Sequence, residues 1–146
     1  MKITDVQACV IGRPEQRSGG SVWTFVRVYT DEGIVGTGEC SSAGFMSGVF
    51  AVKEIVLKYR DRLVGENPLD VGRLYEMMRR WGRYSGGSGA PTMFAITGIE
   101  NALYDIMGKT LGVPLYQLLG GKFRDRIRLY ADCHAGETHT PEAYAE

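Results

Sequence analysis

Residues 22–40 read Val22-Trp23-Thr24-Phe25-Val26-Arg27-Val28-Tyr29-Thr30-Asp31-Glu32-Gly33-Ile34-Val35-Gly36-Thr37-Gly38-Glu39-Cys40. This stretch decides the fold. Val22 to Thr30 is dense in β-branched and aromatic residues, which fit a pleated surface and predict a strand. Val22, Val26 and Val28 share one face; Trp23, Phe25 and Tyr29 share the other. Both faces are largely apolar, so the strand is expected to be covered on both sides. Asp31-Glu32-Gly33 is a hairpin connection in which Gly33 supplies the left-handed conformation. Ile34 to Cys40 then returns antiparallel.

Outward on the N-terminal side, Ile3 to Ile11 alternates: Val6, Ala8 and Val10 are apolar, while Asp5, Gln7 and Cys9 lie between them. That period predicts a third strand and an antiparallel meander. The polar run Gly12-Arg13-Pro14-Glu15-Gln16-Arg17-Ser18-Gly19-Gly20 between the first two strands is too long for a tight turn. On the C-terminal side Ser41 to Gly48 is a second loop rich in small residues.

Helices are expected after it. The first spans about Val49 to Leu63, with Val52, Ile55, Val56, Tyr59 and Leu63 at helical spacing. Asn67-Pro68 is read as restarting a helix, with Val71, Leu74, Tyr75 and Met78 as its stripe and Trp81-Gly82 near its end. After the glycine-rich run Arg83 to Pro91, Thr92 opens a helix to about Lys109. Ile96, Ile99, Leu103 and Ile106 line one face of it. Ala95, Gly98 and Ala102 form a ridge small enough for another backbone to approach. Gly112 and Pro114 stop that helix and start a short one, Leu115 to Leu119. Ile127 to Cys133 is a further predicted strand, and Thr140-Pro141-Glu142 is a helix start with a capping Thr and Pro at the first position. A lone strand and two helical turns cannot stand unaided. They are therefore expected to open an α/β array that continues past residue 146.

Composition narrows the class. The chain has 146 residues, 17 Lys+Arg and 17 Asp+Glu, so its formal net charge is zero. That balance argues against nucleic acid held by bulk charge. No apolar run reaches the roughly 18 residues of a membrane span. Asp5 falls where a secretion signal needs apolar residues. The three cysteines, Cys9, Cys40 and Cys133, are odd in number and read as reduced thiols of a cytoplasmic protein.

The order of these elements resembles a known family. A third strand carrying Gly36-Thr37-Gly38-Glu39 precedes Ala95-Ile96-Thr97-Gly98-Ile99-Glu100-Asn101-Ala102-Leu103-Tyr104-Asp105-Ile106-Met107-Gly108-Lys109. Then come Leu111-Gly112-Val113-Pro114-Leu115-Tyr116-Gln117-Leu118-Leu119-Gly120-Gly121 and Ile127-Arg128-Leu129-Tyr130. The pattern resembles the enolase superfamily, in particular the mandelate racemase/muconate lactonizing enzyme group, over nearly the whole chain. The resemblance implies an α+β fold: a three-stranded antiparallel meander, then a helical bundle, then the start of a TIM-type barrel. Residues 1–125 would be a capping domain, and residues 126–146 the first strand and helix start of the barrel. It also implies proton abstraction next to a carboxylate, an enediolate stabilised by Mg2+, and Lys or His bases. The metal ligands of such enzymes lie on later barrel strands, so none is expected in this chain, and the chain alone is expected to be inactive.

Within the group, Tyr130-Ala131-Asp132-Cys133-His134-Ala135-Gly136 resembles the end of the first barrel strand in sugar-acid dehydratases. It has one more residue between Tyr and His, and Gly136 stands where Asn is usual. His134 would then sit at a strand's C-terminal end, where barrel active sites lie, and would contact substrate hydroxyls or protonate a leaving hydroxide. The alternative is an imidazole bonded to neighbouring loop backbone. The loops at 12–21 and 41–48 correspond to the family's lid, so Arg13 or Arg17 would pair with a substrate carboxylate or bond its hydroxyls. The alternative is that both arginines are solvated. The expected function is thus the N-terminal part of a Mg2+-dependent sugar-acid dehydratase. Its partner would be a small-molecule sugar acid, with no nucleic acid and no membrane, and at full length it would be a homo-oligomer. The alternatives are a racemase or epimerase of the same superfamily, or a non-catalytic capping or oligomerisation module. Asp132, His134, Glu137 and His139 match no strong zinc spacing, and Gly36-x-Gly38-x-x-Ser41 fails the dinucleotide fingerprint at its third glycine.

Overall fold

In the computed structural model of this chain, β1 (Ile3–Gly12), β2 (Val22–Thr30) and β3 (Val35–Cys40) form one antiparallel sheet in the order β1-β2-β3. The structure describes residues 1–12, 22–40, 46–84, 89–130 and 140–142. The meander is the one the alternation predicts. Gly33 takes φ +78 and its N–H donates to the Thr30 carbonyl, closing the β2–β3 turn. The Thr30 hydroxyl, bonded to the Ile34 carbonyl at 2.8 Å, tightens it further.

Register sorts the sheet into two faces. The rows Val6–Val28–Gly36, Ala8–Val26–Gly38 and Val10–Thr24–Cys40 look inward; the rows Gln7–Arg27–Thr37 and Cys9–Phe25–Glu39 look outward. The helices α1 (Met46–Leu63), α2 (Val71–Tyr84) and α3 (Ala90–Leu111) pack with the inward face, and α4 (Leu115–Leu118) follows. Val26, Val28, Val52, Val56, Leu63, Leu74, Met78, Ile96, Ile99, Leu103 and Ile106 are fully buried in this core. Cover on both faces of β2 was expected; within the described residues only one is covered. Trp23 and Arg27 are exposed, and Phe25 and Tyr29 are half-buried. The reason is directional: the helices bury the inward rows, while the outward side carries Asp5, Gln7, Thr37 and Glu39 among its aromatic residues.

The junction of β3 with α3 depends on absent side chains. A Cβ added at Gly36 would come within 2.0 Å of the Ala102 carbonyl oxygen, and one at Gly38 within 2.0 Å of the Gly98 carbonyl oxygen. A Cβ at Gly98 would meet the Cys40 sulfur at 2.2 Å. Strand and helix backbones therefore touch, and the small-residue ridge Gly98–Ala102 has the partner its sequence anticipates. α3 ends at Gly112, whose φ of +67 lets its own N–H and that of Val113 return to Lys109 and Gly108.

One helix start and one strand reading shift. α2 begins at Val71, not at Pro68. The Asn67 carboxamide accepts from the Leu69 N–H and donates to Asp70, forming a local turn that delays the helix. Its packing is as expected: the Tyr59 hydroxyl donates to the Met78 carbonyl at 3.0 Å, and the Tyr59 ring meets Trp81 edge-on at 5.0 Å. The second shift lies at the end of the chain. Residues 126–130 carry no strand ladder, while Pro141 and Glu142 are helical. Phe123, Ile127, Leu129 and Tyr130 are 92%, 74%, 85% and 91% exposed. A strand is a partnership, and nothing among the described residues pairs with this one.

Candidate functional site at the loop end of the sheet

The meander sends its connections to one end. β1 finishes at Gly12 opposite Val22, and Cys40 at the close of β3 pairs with Thr24 near the start of β2. The segments 13–21 and 41–45 therefore depart from the same end of the sheet. α1 starts there too: the buried Thr24 hydroxyl donates to the Val49 carbonyl in its first turns at 3.3 Å. It runs to the far end, where Arg60 meets Asp5 at 2.6 Å and the Gly65 N–H reaches the Ile3 carbonyl. α3 runs the same way, from Gly98 beside Cys40 to Ile106 beside Gly36. Two helix N-termini thus lie at the loop end, and neither has an acidic residue in its first turn. Helix dipoles give such ends a partial positive character suited to an anion.

The electrostatics around this end are otherwise quiet. Burial pushes the Cys40 thiol up to about 12, helped by the neighbouring Glu39 carboxylate, so the thiol stays protonated at neutral pH. Glu100 on α3 is also pushed up by burial. Glu39 has its side chain exposed beside Asn101, Tyr104 and Asp105 in a groove along β3. At the far end the Asp5 carboxyl is held below its usual range, first by the Gln7 amide and then by Arg60 and the Val6 N–H.

Arg13, Arg17 and His134 lie outside the described residues; only the roots at Gly12 and Val22 are placed for the two arginines. Among the described residues no group of three or more His, Cys, Asp or Glu is assembled to hold a metal ion. They do not assemble a magnesium site. Sequence reasoning missed two contacts. One is Thr24, whose hydroxyl ties the root of β2 to α1. The other is the pair Asp105 and Lys109: the carboxylate accepts from the Thr37 N–H at 2.8 Å, and the ammonium donates to the Val35 carbonyl at 2.7 Å. Their i, i+4 spacing was visible, but their partners on a distant strand were not.

Comparison with known proteins gives this geometry its relatives. The profile described as mandelate racemase / muconate lactonizing enzyme, N-terminal domain, matches residues 4–120. A protein named D-xylonate dehydratase from Haloferax volcanii is 45% identical over 145 residues, covering 99% of this chain and 32% of its own length. A D-galactonate dehydratase from Verminephrobacter eiseniae is 46% identical over 108 residues, covering 74% of this chain and 27% of its own. A solved structure from Mesorhizobium loti superposes with TM-score 0.85 at 36% identity, covering 99% of this chain and 37% of that one. An enolase from Pantoea ananatis, solved with bound D-gluconate and Mg, superposes with TM-score 0.72 at 31% identity, covering 85% of this chain and 28% of that one. The chain spans about a third of the length of such relatives. Among the described residues no helix is long and apolar enough to cross a membrane. With its meander, its glycine-spaced strand against helix and its matching profile, the chain belongs to the mandelate racemase / muconate lactonizing enzyme family through that family's N-terminal domain.

Proposed function

We propose that this chain is the N-terminal part of a cytoplasmic, homo-oligomeric sugar-acid dehydratase. Residues 1–125 form its cap and residues 126–146 begin its barrel. The observation that carries this reading is similarity along 99% of the chain to a protein named D-xylonate dehydratase. The loop end supports it, because two helix N-termini free of acidic residues favour a carboxylate-bearing ligand. In the reaction, the acid loses the proton at C2 and the hydroxyl at C3 as one water, and the resulting enol becomes a 2-keto-3-deoxy acid. Arg13 and Arg17 engage the substrate from the cap. His134 contacts its hydroxyls or protonates the departing hydroxide. Magnesium, the family's metal, would be held by residues other than the described ones.

The test is turnover by the protein at its native length with Mg2+, offered D-xylonate, D-galactonate and D-gluconate. The expected product is lighter than the substrate by one water and gives the semicarbazone of a 2-keto acid. Inversion at C2 without loss of water would identify an epimerase or racemase instead, and no reaction with any sugar acid would leave a binding or capping module. His134→Ala is expected to lower kcat by about 100-fold, the lower range for acid-base assistance, with an unchanged melting temperature. Unaltered kinetics would remove His134 from the site.

A further inference from the structure

The sheet has two edges, and they are treated differently. On β3 the Thr37 N–H and the Val35 carbonyl point away from the sheet, because Asp105 and Lys109 of α3 bind them. Residues 36, 38 and 40 must then bond β2 at positions 28, 26 and 24. Alternation turns residues 23, 25, 27 and 29 of β2 toward β1, where they meet Ile11, Cys9, Gln7 and Asp5. The backbone groups of Val6, Ala8, Val10 and Gly12 are left pointing outward from β1. The Val6 N–H confirms this orientation, since it turns back to the Asp5 carboxylate at 2.9 Å. Beyond that point the N–H and carbonyl of Ala8 and Val10 have no partner among the described residues.

Proteins usually guard such an edge with charge, proline or a bulge. Here the register shift lies before Asp5, and the Asp5 charge is taken by Arg60. From Val6 to Ile11 the sequence is Val-Gln-Ala-Cys-Val-Ile, without a charge or a proline. We propose that the β1 edge is the contact between two copies of this chain, paired antiparallel about a two-fold axis into one continuous six-stranded sheet. The open stretch, residues 6–12, is centred on Cys9. Self-pairing across it sets Ala8 opposite Val10 and Cys9 opposite its own counterpart. All facing side chains are neutral, so no like charges meet. An isologous contact of this kind is self-complementary by symmetry. Cys9 bonds inward to β2, so the central pair is a non-hydrogen-bonded one with Cα atoms about 4.5 Å apart. That separation lies within the range a disulfide spans. The proposal names the surface of the oligomer suggested above but does not depend on the dehydratase reading, since its readout is mass rather than turnover.

The test uses the protein at its native length. Copper phenanthroline is expected to give a dimer on a non-reducing gel that Cys9→Ser abolishes, while Cys9→Ser retains the wild-type mass in light scattering. Val10→Pro removes an outward N–H and spares the β2 ladder, so it is expected to halve the particle mass while keeping wild-type circular dichroism. Should Val10→Pro fail to fold, Cys9→Lys decides, because Cys9 is exposed and the change sets two ammonium groups face to face. Its expected result is the same halving, reversed by high salt. A monomeric wild type, a missing Cys9 crosslink, or an unchanged mass in a folded Val10→Pro or Cys9→Lys protein overturns the proposal.

Discussion

The β3–α3 seam and the stretch from Leu119 to Tyr130 are both dense in sequence signals, yet one is packed backbone against backbone and the other stands in solvent. At the seam, four small residues let two backbones touch, and their neighbours Ile99, Leu103 and Ile106 are completely buried. In residues 119–130 the large apolar side chains face solvent. Periodicity names the face that needs cover, but only a partner supplies the cover. The seam has its partner within the chain; the stretch at 127–130 has none among the described residues.

Filling the seam breaks the comparison most severely. Gly38→Ala drives a methyl group into the Gly98 carbonyl oxygen and the Ala102 nitrogen, both backbone atoms that cannot rotate aside. The expected loss is about 3 kcal/mol or more, at or above the usual range for overpacking, and it is read as a lower midpoint in urea unfolding. Gly72→Ala on α2, where an added Cβ meets nothing within 4 Å, is the matched control. It should gain about 0.5 kcal/mol from helix propensity.

The seam's polar border is expected to yield less. Asp105→Ala strands Lys109 and leaves the Thr37 N–H to water, which costs about 1 kcal/mol for a partly exposed contact. Cys40 offers a pH test of the same border. Its thiol is raised in the folded state from an ordinary 9.0 to about 12, so the folded protein holds that proton more tightly than the unfolded chain. Its stabilising contribution is complete below pH 9 and declines as pH climbs from there toward 12. Urea midpoints measured across that interval should fall in wild type and fall less in Cys40→Ala.

Much of this was legible because local patterns coincided with local partners. β2 spans the residues its composition marks out, and β1 and β3 agree with expectation to within one residue. The stripes of α1, α2 and α3 bury the side chains their spacing selects. The misreadings share a cause, which is competition or absence at a distance. Asn67 captures backbone that Pro68 alone would have given to a helix. The outward side of β2 is apolar in composition, but the helices come to the inward side. In the candidate site, the shared departure point of the two loops follows from the meander and could be read in advance. The bond from Thr24 to Val49 and the clamp of Asp105 and Lys109 on β3 could not, because each joins residues far apart in sequence. Arg13, Arg17 and His134 remain proposals, resting on resemblance at positions outside the described residues.

The smallest stability effect belongs to the loose end, and it sharpens the comparison most cleanly. Leu129→Ser removes an apolar side chain that is already in water, so no buried area is lost and no cavity opens. The unfolding free energy of the 146-residue chain should move by less than about 0.5 kcal/mol, as for other surface changes. Exposed apolar side chains at Phe123, Ile127, Leu129 and Tyr130 nevertheless form a surface that other molecules can cover. The same substitution is therefore expected to reduce concentration-dependent association of this chain, seen as a smaller rise in light scattering with concentration. A stability loss of the size seen for a core leucine would mean that residues 127–130 pack against the domain after all. In that case the contrast with the seam would fail.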